Sequence, residues 1–135
     1  MKKVILLLLL LVACLSFTGC GQNKLADCFD ESVVNAKAEE VSMVLANRDY
    51  DAIYAMFRED IRADLTPEYL EEQLDDIFEA SGSFVKFRGT ACAGQKTAEG
   101  EDYAIAMVLT KFENGKLTFT ISFDQNMELI GLYVK

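Results

Sequence analysis

Residues 103–123, YAIAMVLTKFENGKLTFTISF, decide the fold because apolar and polar side chains alternate on both sides of Asn114-Gly115. Alternation at every second residue is typical of strands, and Asn-Gly between two such runs is the strongest short hairpin signal in a sequence. A two-residue turn at Asn114-Gly115 pairs Glu113 with Lys116. The same register gives one uniformly apolar face, which should lie against the core, with the facing pairs Phe112 and Leu117, Val108 and Ile121, and Ala106 and Phe123.

The two-residue period continues on both sides of this hairpin and predicts a four-stranded antiparallel meander. The predicted strands are approximately residues 84–93, 103–112, 116–123 and 128–134. The register of the last hairpin has two alternatives, because a shift of one residue exchanges the two faces of a strand. A two-residue turn at Gln125-Asn126 puts Ile130, Leu132 and Val134 in the core, whereas a three-residue turn puts Leu129 and Tyr133 there.

The second strand carries an apolar row on the face opposite the core: Tyr103, Ile105, Met107 and Leu109. A solvated sheet face does not usually carry four such residues in succession. The row is therefore either an interface, for self-association or for a partner, or it is covered by a bent strand or by Leu129 and Tyr133 of the last strand.

Residues 27–80 have the 3.6-residue period of helices. The first helix, residues 27–46, has its apolar positions at Phe29, Val33, Ala36, Val41, Val44 and Leu45. Asp49 caps a second helix from Tyr50 to about Arg58, and Thr66 caps a third, which begins at Pro67 and runs to about Ala80. Three N-terminal helices followed by four strands predict one α+β domain, residues 27–135, with the helices packed on one face of the sheet.

The first nineteen residues have the pattern of a secretory signal peptide. Lys2 and Lys3 precede an apolar run, and small residues follow it. The run is shorter than the roughly 20 residues that span a bilayer, which disfavours a transmembrane anchor. Phe17-Thr18-Gly19-Cys20 resembles the lipobox of bacterial lipoproteins, whose cysteine is lipidated after cleavage, and Cys14 after Leu11-Val12-Ala13 is the alternative.

Lipidation at Cys20 predicts a protein held to a membrane by a covalent lipid on the extracytoplasmic face of the bacterial envelope. Two acyl chains on that cysteine give stable anchoring. Residues 20–26 would then form a short polar tether, which keeps the domain close to the bilayer.

Composition excludes several classes of function. The chain contains no histidine, which removes histidine general bases, histidine-dependent nucleophiles and nearly all zinc chemistry. Its net charge of −9 becomes more negative by two when residues 1–19 are removed, so the domain is expected to repel phosphate backbones and anionic lipid headgroups, and nucleic-acid binding is not expected. The residues indicate no catalytic group, metal site or cofactor. Cys28 and Cys92 are either a disulfide, which an extracytoplasmic location allows, or two small apolar core residues.

The order of elements resembles the nuclear-transport-factor-two-like or cystatin-like α+β roll. More narrowly, the chain looks like bacterial extracellular lipoproteins of the domain of unknown function 3887 family, over roughly residues 28–135. The matching pieces are Asp49-Tyr50-Asp51-Ala52, Leu65-Thr66-Pro67-Glu68 and Thr120-Ile121-Ser122-Phe123-Asp124, whereas Met127 stands where such proteins tend to have a turn glycine. The resemblance implies a curved sheet wrapped around helices, often a conical cavity and often a homodimer through the sheet. It implies no catalytic residues.

Two functions follow. The first is a non-catalytic domain that binds a small apolar ligand or an envelope protein partner. The small-molecule site would be a cavity between helices and sheet, lined by Tyr54, Phe57, Ala104, Ala106 and Phe119. The alternative is a small isomerase- or dehydratase-like enzyme with a carboxylate and a tyrosine in that cavity, since related rolls include such isomerases.

Overall fold

The computed structural model describes residues 23–135, and the α+β class is confirmed. Four helices precede a four-stranded antiparallel sheet in this range, and the sheet is open rather than closed into a barrel. The elements are α1 (Glu31–Ala46), α2 (Tyr50–Met56), α3 (Glu59–Arg62), α4 (Pro67–Ser81), β1 (Phe84–Lys96), β2 (Asp102–Phe112), β3 (Gly115–Phe123) and β4 (Leu129–Val134).

Side-chain caps explain where the three longer helices begin. Asp30 accepts hydrogen bonds from the backbone N–H groups of Ser32 and Val33, and Thr66 accepts one from Tyr69 at 3.1 Å. Asp49 accepts one from Ala52. Such caps satisfy backbone donors that the first helical turn leaves free. The caps at Asp49 and Thr66 are the ones that the sequence predicts.

Three helical predictions need correction. The first helix begins at Glu31 rather than at residue 27, because the extended Asp30 caps it. The second ends at Met56, since Phe57 is extended and forms a bridge with Leu129, and the short helix α3 then follows. Val33 is 53% exposed, because α1 buries the face that carries Val34, Ala38, Val41 and Leu45.

The core lies between the helices and one face of the sheet. The strand order is β1-β2-β3-β4, so every strand pairs with its neighbour in sequence. From β2 and β3 the buried side chains alternate along the chain, as expected for a sheet with one covered face. They are Ala104, Ala106, Val108, Phe112, Leu117, Phe119, Ile121 and Phe123.

The predicted register of the β2–β3 hairpin is wrong by two residues. Phe112 pairs with Gly115, so the turn is Glu113-Asn114. Val108 therefore faces Phe119, Ala106 faces Ile121, and Ala104 faces Phe123. The backbone N–H groups of Glu113 and Asn114 donate to the carbonyls of Ser83 and Ser81, and these bonds fix the two residues as the turn. A two-residue error keeps every side chain on its predicted face, and the apolar face is confirmed as the buried one.

The last hairpin combines both predicted alternatives. Ser122 pairs with Gly131 but Phe123 pairs with Leu129, so Ile130 is an extra residue in β4. This bulge buries Leu129 at one end and Leu132 beyond it, and it leaves Tyr133 48% exposed. Met127 has the positive φ of 61° that a turn glycine would supply.

Candidate functional site

The five residues predicted to line a ligand cavity belong to the hydrophobic core or its border. Ala104, Ala106 and Phe119 are fully buried, and Phe57 is 6% exposed. Tyr54 is half-buried, and its ring lies 6.0 Å from the guanidinium carbon of Arg62. All five pack with the helices in one contiguous cluster. These positions serve the packing of helices on sheet, and a ligand cavity there stays a prediction.

A carboxylate and a tyrosine do meet, at the border of the core where α2 contacts α4. The Tyr50 hydroxyl donates to Asp75 Oδ1 at 2.8 Å, and Arg48 donates to both oxygens of the same carboxylate. The Arg48 guanidinium and the Tyr50 hydroxyl hold the pKa of Asp75 below its ordinary value. Burial, followed by the hydrogen bond to Asp75, raises the pKa of Tyr50.

The contact between Tyr50 and Asp75 joins α2 to α4 and does not transfer protons. Asp75 stays ionised as an acceptor and Tyr50 stays a neutral donor, so neither group is poised to exchange a proton near neutral pH. Asp102 and Tyr103, a carboxylate and a tyrosine adjacent in sequence, lie apart from it at the start of β2, where Asp102 pairs with Lys96 at 2.7 Å.

A second polar cluster joins the loops at one end of the sheet. The Arg58 guanidinium lies 2.8 Å from Asp60, 3.3 Å from Glu101 and 3.5 Å from Asp124. Asp124 is 2% exposed, and its Oδ1 accepts the backbone N–H groups of Asn126 and Glu128. Arg58 therefore ties the end of α2 to the β1–β2 and β3–β4 loops.

Three exposed large apolar side chains, Met107, Leu109 and Tyr133, share the sheet face opposite the helices, which we call the outer face. Val85 is also exposed, but lies at the irregular start of β1. The rows across it follow from the pairing: Ala91 pairs with Met107, Met107 with Thr120, and Thr120 with Tyr133. Met107 is 39% exposed, Leu109 44% and Tyr133 48%. Their neighbours on the adjacent strands are small or uncharged, namely Gly89, Ala91, Thr118 and Thr120.

The predicted row on β2 divides into an exposed and a covered half. Met107 and Leu109 are exposed, Ile105 is half-buried, and Tyr103 is only 4% exposed, which raises the pKa of its hydroxyl. Tyr133 of β4 is exposed on the same face as Met107 and Leu109, although one of the two predicted registers places it in the core. The bulge at Ile130 decides that point, and neither β4 alternative contained it.

The segment before α1 lies against β1. The backbone N–H of Gly94 donates to the carbonyl of Asn23 at 2.9 Å, and a Cβ at Gly94 would lie 2.3 Å from the carbonyl oxygen of Lys24. Leu25 and Ala26 pack on the core. Residues 23–26, which the sequence assigns to the tether, are therefore bound to the domain, and residues 20–22 lie outside the described residues.

Cys28 and Cys92 lie in this same region. Cys92 borders a groove of about 490 Å³ that residues 23–27, Phe29 and Glu31 complete. Both cysteines are free thiols in the structure, Cys28 exposed and Cys92 half-buried, and burial and the nearby Glu31 raise the pKa of Cys92. A disulfide between them stays a prediction. The lipidation candidates Cys14 and Cys20, and the signal peptide, lie outside the described residues.

Residues 23–135 contain no group of three or more acidic or cysteine side chains arranged to hold a metal ion. Within the same range, no helix has both the length and the apolar character needed to cross a membrane.

The fold and the exposed sheet face define a small α+β domain of helices packed on an open meander. Residues 38–132 match the model of the protein family of unknown function DUF3887, and the chain belongs to that family. The chain is also similar to a protein from Ruminococcus gnavus ATCC 29149 whose structure was solved by NMR. The two share 25% sequence identity with a TM-score of 0.71, over 85% of this chain and 99% of the other. No curated protein matches the chain.

Proposed function

We propose that this chain is a lipid-anchored extracytoplasmic protein whose domain is a non-catalytic interaction module that binds through the outer face of its sheet. The observation that carries the proposal is the joint exposure of Met107, Leu109 and Tyr133 on the outer face, beside small or uncharged residues of the adjacent strands. Their apolar area would be costly to leave in water, at about 25 cal/mol per Å². A bound partner surface would remove that area from water.

Anchoring is supported by the sequence before Asn23. A lysine pair, an apolar run and small residues before Cys20 are typical of a lipoprotein signal. Asn23 is bound to Gly94, so only Gly21 and Gln22 separate the proposed lipidated cysteine from the folded domain. A fully extended segment of this length reaches about 10 Å, which keeps the edge strand β1 beside the membrane.

Mass spectrometry of the protein from its native membrane tests the anchor. We expect a diacylglycerol-modified N-terminus at Cys20 that is lost in Cys20→Ser and retained in Cys14→Ser. An unmodified N-terminus, or one modified at Cys14, would overturn the anchoring site.

Photocrosslinking in native membranes tests the interaction face. A photoreactive residue at Leu109 should give a crosslinked product, whereas the same residue at Val33 should give none. Val33 is a matched control because it is equally apolar and 53% exposed, but lies on α1. Equal crosslinking at both positions, or none at Leu109, would contradict a function for the outer face.

The enzyme alternative receives no support from the one carboxylate–tyrosine contact described above. Asp75 is held by Arg48 and the Tyr50 hydroxyl, which keep it an ionised acceptor rather than a group that transfers a proton. The interaction module is therefore the function that the geometry favours.

A further inference from the structure

Three lysines stand side by side at one end of the outer face. Lys86 of β1 pairs with Lys111 of β2, and Lys111 pairs with Lys116 of β3. Lys135 lies at the same end, because its backbone exchanges hydrogen bonds with Thr118, the next outer-face residue of β3. Lys86, Lys116 and Lys135 are exposed, and Lys111 is half-buried. We call these four residues the lysine row.

Within the part of the chain that the structure describes, the lysine row forms no ion pair with an acidic residue. None of the ion pairs formed within residues 23–135 includes any of the four, although Lys37, Arg48, Arg58 and Lys96 are all paired with carboxylates. The single acidic residue of the four strands is Asp102, near the other end of the sheet. Like charges directly opposite each other on neighbouring strands are destabilising. The domain therefore retains an arrangement that does not help it fold.

Acidic side chains are concentrated on the helical side of the molecule. Helix α4 alone carries six acidic residues and no basic one. A strongly acidic chain thus presents one face that is basic at one end and apolar in its middle. Such charge complementarity selects an anionic partner for that face and for no other.

Resting on the lipid anchor proposed above, we propose that the outer face docks on an anionic bilayer, with the lysine row against lipid phosphates and Met107, Leu109 and Tyr133 at the headgroup level. A tyrosine suits that level because one end of its ring is apolar and the other polar. A cluster of lysines near an anionic membrane surface gains roughly five-fold in binding for each lysine.

The positions of the anchor and the lysine row fit this orientation. Asn23 is bound at Gly94, whose partner Ala104 is seven residues along β2 from Lys111. At about 3.4 Å per residue this separation is roughly 24 Å. The lipid would hold one end of the sheet and the lysine row the other, so the face between them lies along the bilayer.

A second copy of the chain is a poorer occupant. A two-fold interface places the same patch of both copies together. Both lysine rows would then enter one interface in which the one carboxylate of the strands, Asp102, already pairs with Lys96 at 2.7 Å. Unpaired buried charges are strongly unfavourable. The apolar middle of the face alone does not distinguish the two occupants, but the lysine row does.

Tryptophan fluorescence tests the proposal, because the chain contains no tryptophan of its own. Tyr133→Trp places a single reporter on the outer face, and Val33→Trp places one on α1 as a control with similar exposure. The lipidated protein is reconstituted into vesicles of phosphatidylcholine, with or without phosphatidylglycerol, that contain brominated lipid as a quencher. We expect the tryptophan at 133 to be quenched and blue-shifted only in vesicles containing phosphatidylglycerol, and the one at 33 in neither.

The lysine row is tested by Lys86→Gln, Lys111→Gln and Lys116→Gln together. This variant should lose the quenching at 133 while its unfolding midpoint stays the same or rises, since like-charge repulsion is removed. Absence of quenching in a protein that co-sediments with vesicles would overturn the docking while leaving the anchor intact. Absence of co-sedimentation would instead overturn the anchor. A blue shift at 133 without quenching, dependent on protein concentration or on an acidic protein, would assign the face to a protein partner and overturn the proposal.

Discussion

Asp75 joins helix α4 to the turn between α1 and α2. Its carboxylate accepts from Arg48 Nε at 2.6 Å and from the Tyr50 hydroxyl at 2.8 Å, so one side chain connects residues 25 and 27 positions away in sequence. Arg48 has a positive φ of 58°, which is unfavourable for a residue other than glycine. The ion pair offsets part of that strain.

Asp75→Asn should destabilise the domain at neutral pH and much less in acid. Because the folded-state pKa of Asp75 is lowered from 3.8, its contribution is complete above 3.8 and is lost as the pH falls through the folded value. Urea unfolding of wild type and variant should therefore show a gap at neutral pH that closes well below pH 3.8. Asp76→Asn, the same change one residue further along α4, is the control and should show a smaller gap. A gap that persists in acid would mean that the amide disturbs packing instead.

The two thiols should differ in reactivity. Cys28 is exposed, whereas Cys92 is half-buried and has a raised thiol pKa, which lowers its thiolate fraction. Maleimide labelling of the reduced, folded protein should modify Cys28 first and Cys92 much more slowly, as read by peptide mass spectrometry. Equal rates would contradict the burial of Cys92. Protein from the envelope that labels at neither site before reduction would show that the predicted disulfide forms.

For the β2–β3 hairpin, the turn predicted from sequence and the observed turn lead to opposite predictions for a substitution of Gly115. A turn at Asn114-Gly115 would require a positive φ at Gly115, but the turn is Glu113-Asn114 and Gly115 is the first residue of β3. A Cβ added at Gly115 meets no atom within 4 Å. Gly115→Ala should therefore be neutral or stabilise by about 0.4–1 kcal/mol.

Gly82→Ala is the contrasting variant for the same hairpin. Gly82 ends α4 with a φ of 74° and a ψ of −154°, a conformation that is nearly restricted to glycine. Its Cβ would lie 2.7 Å from the Glu113 carboxylate, which accepts the backbone N–H of Ser83. We expect a loss of about 1–3 kcal/mol in the free energy of unfolding. If Gly115→Ala destabilised the domain by the same amount, that result would support the turn predicted from sequence, Asn114-Gly115, instead of the observed one.

Which face of each β2 and β3 residue is buried could be predicted from sequence, whereas the pairing of the strands could not. Alternation fixes the side on which Val108 or Phe119 lies, because it depends only on the two-residue period. The register depends on the contacts of Glu113 and Asn114 with Ser81 and Ser83, which are about thirty residues distant and form only when α4 packs on the sheet. The bulge at Ile130 likewise combines parts of both predicted registers, because it buries Leu129 and Leu132 together.

The distribution of charge over the surface of the molecule could not be predicted from the sequence either. The net charge predicts that anionic surfaces repel this acidic domain. That prediction holds only when the charges are evenly spread over the surface. Lys86, Lys111 and Lys116 are up to thirty residues apart in the chain, and only the pairing of β1, β2 and β3 places them in one row. Met107, Leu109 and Tyr133 meet in the same way, so the candidate site exists only at the level of the sheet.

This charge distribution leads to a prediction about oligomeric state. The resemblance to cystatin-like rolls implies a homodimer through the sheet, but the lysine row of each copy would then lie in an interface whose one strand carboxylate, Asp102, already pairs with Lys96. The detergent-solubilised protein should therefore be monomeric by size exclusion with light scattering, once the mass of the micelle is subtracted. Met107→Asp should leave that mass unchanged, as should Val33→Asp on α1. A dimer that Met107→Asp dissociates and Val33→Asp does not would show that two outer faces bind each other, and that their apolar centres outweigh the repulsion between the lysine rows.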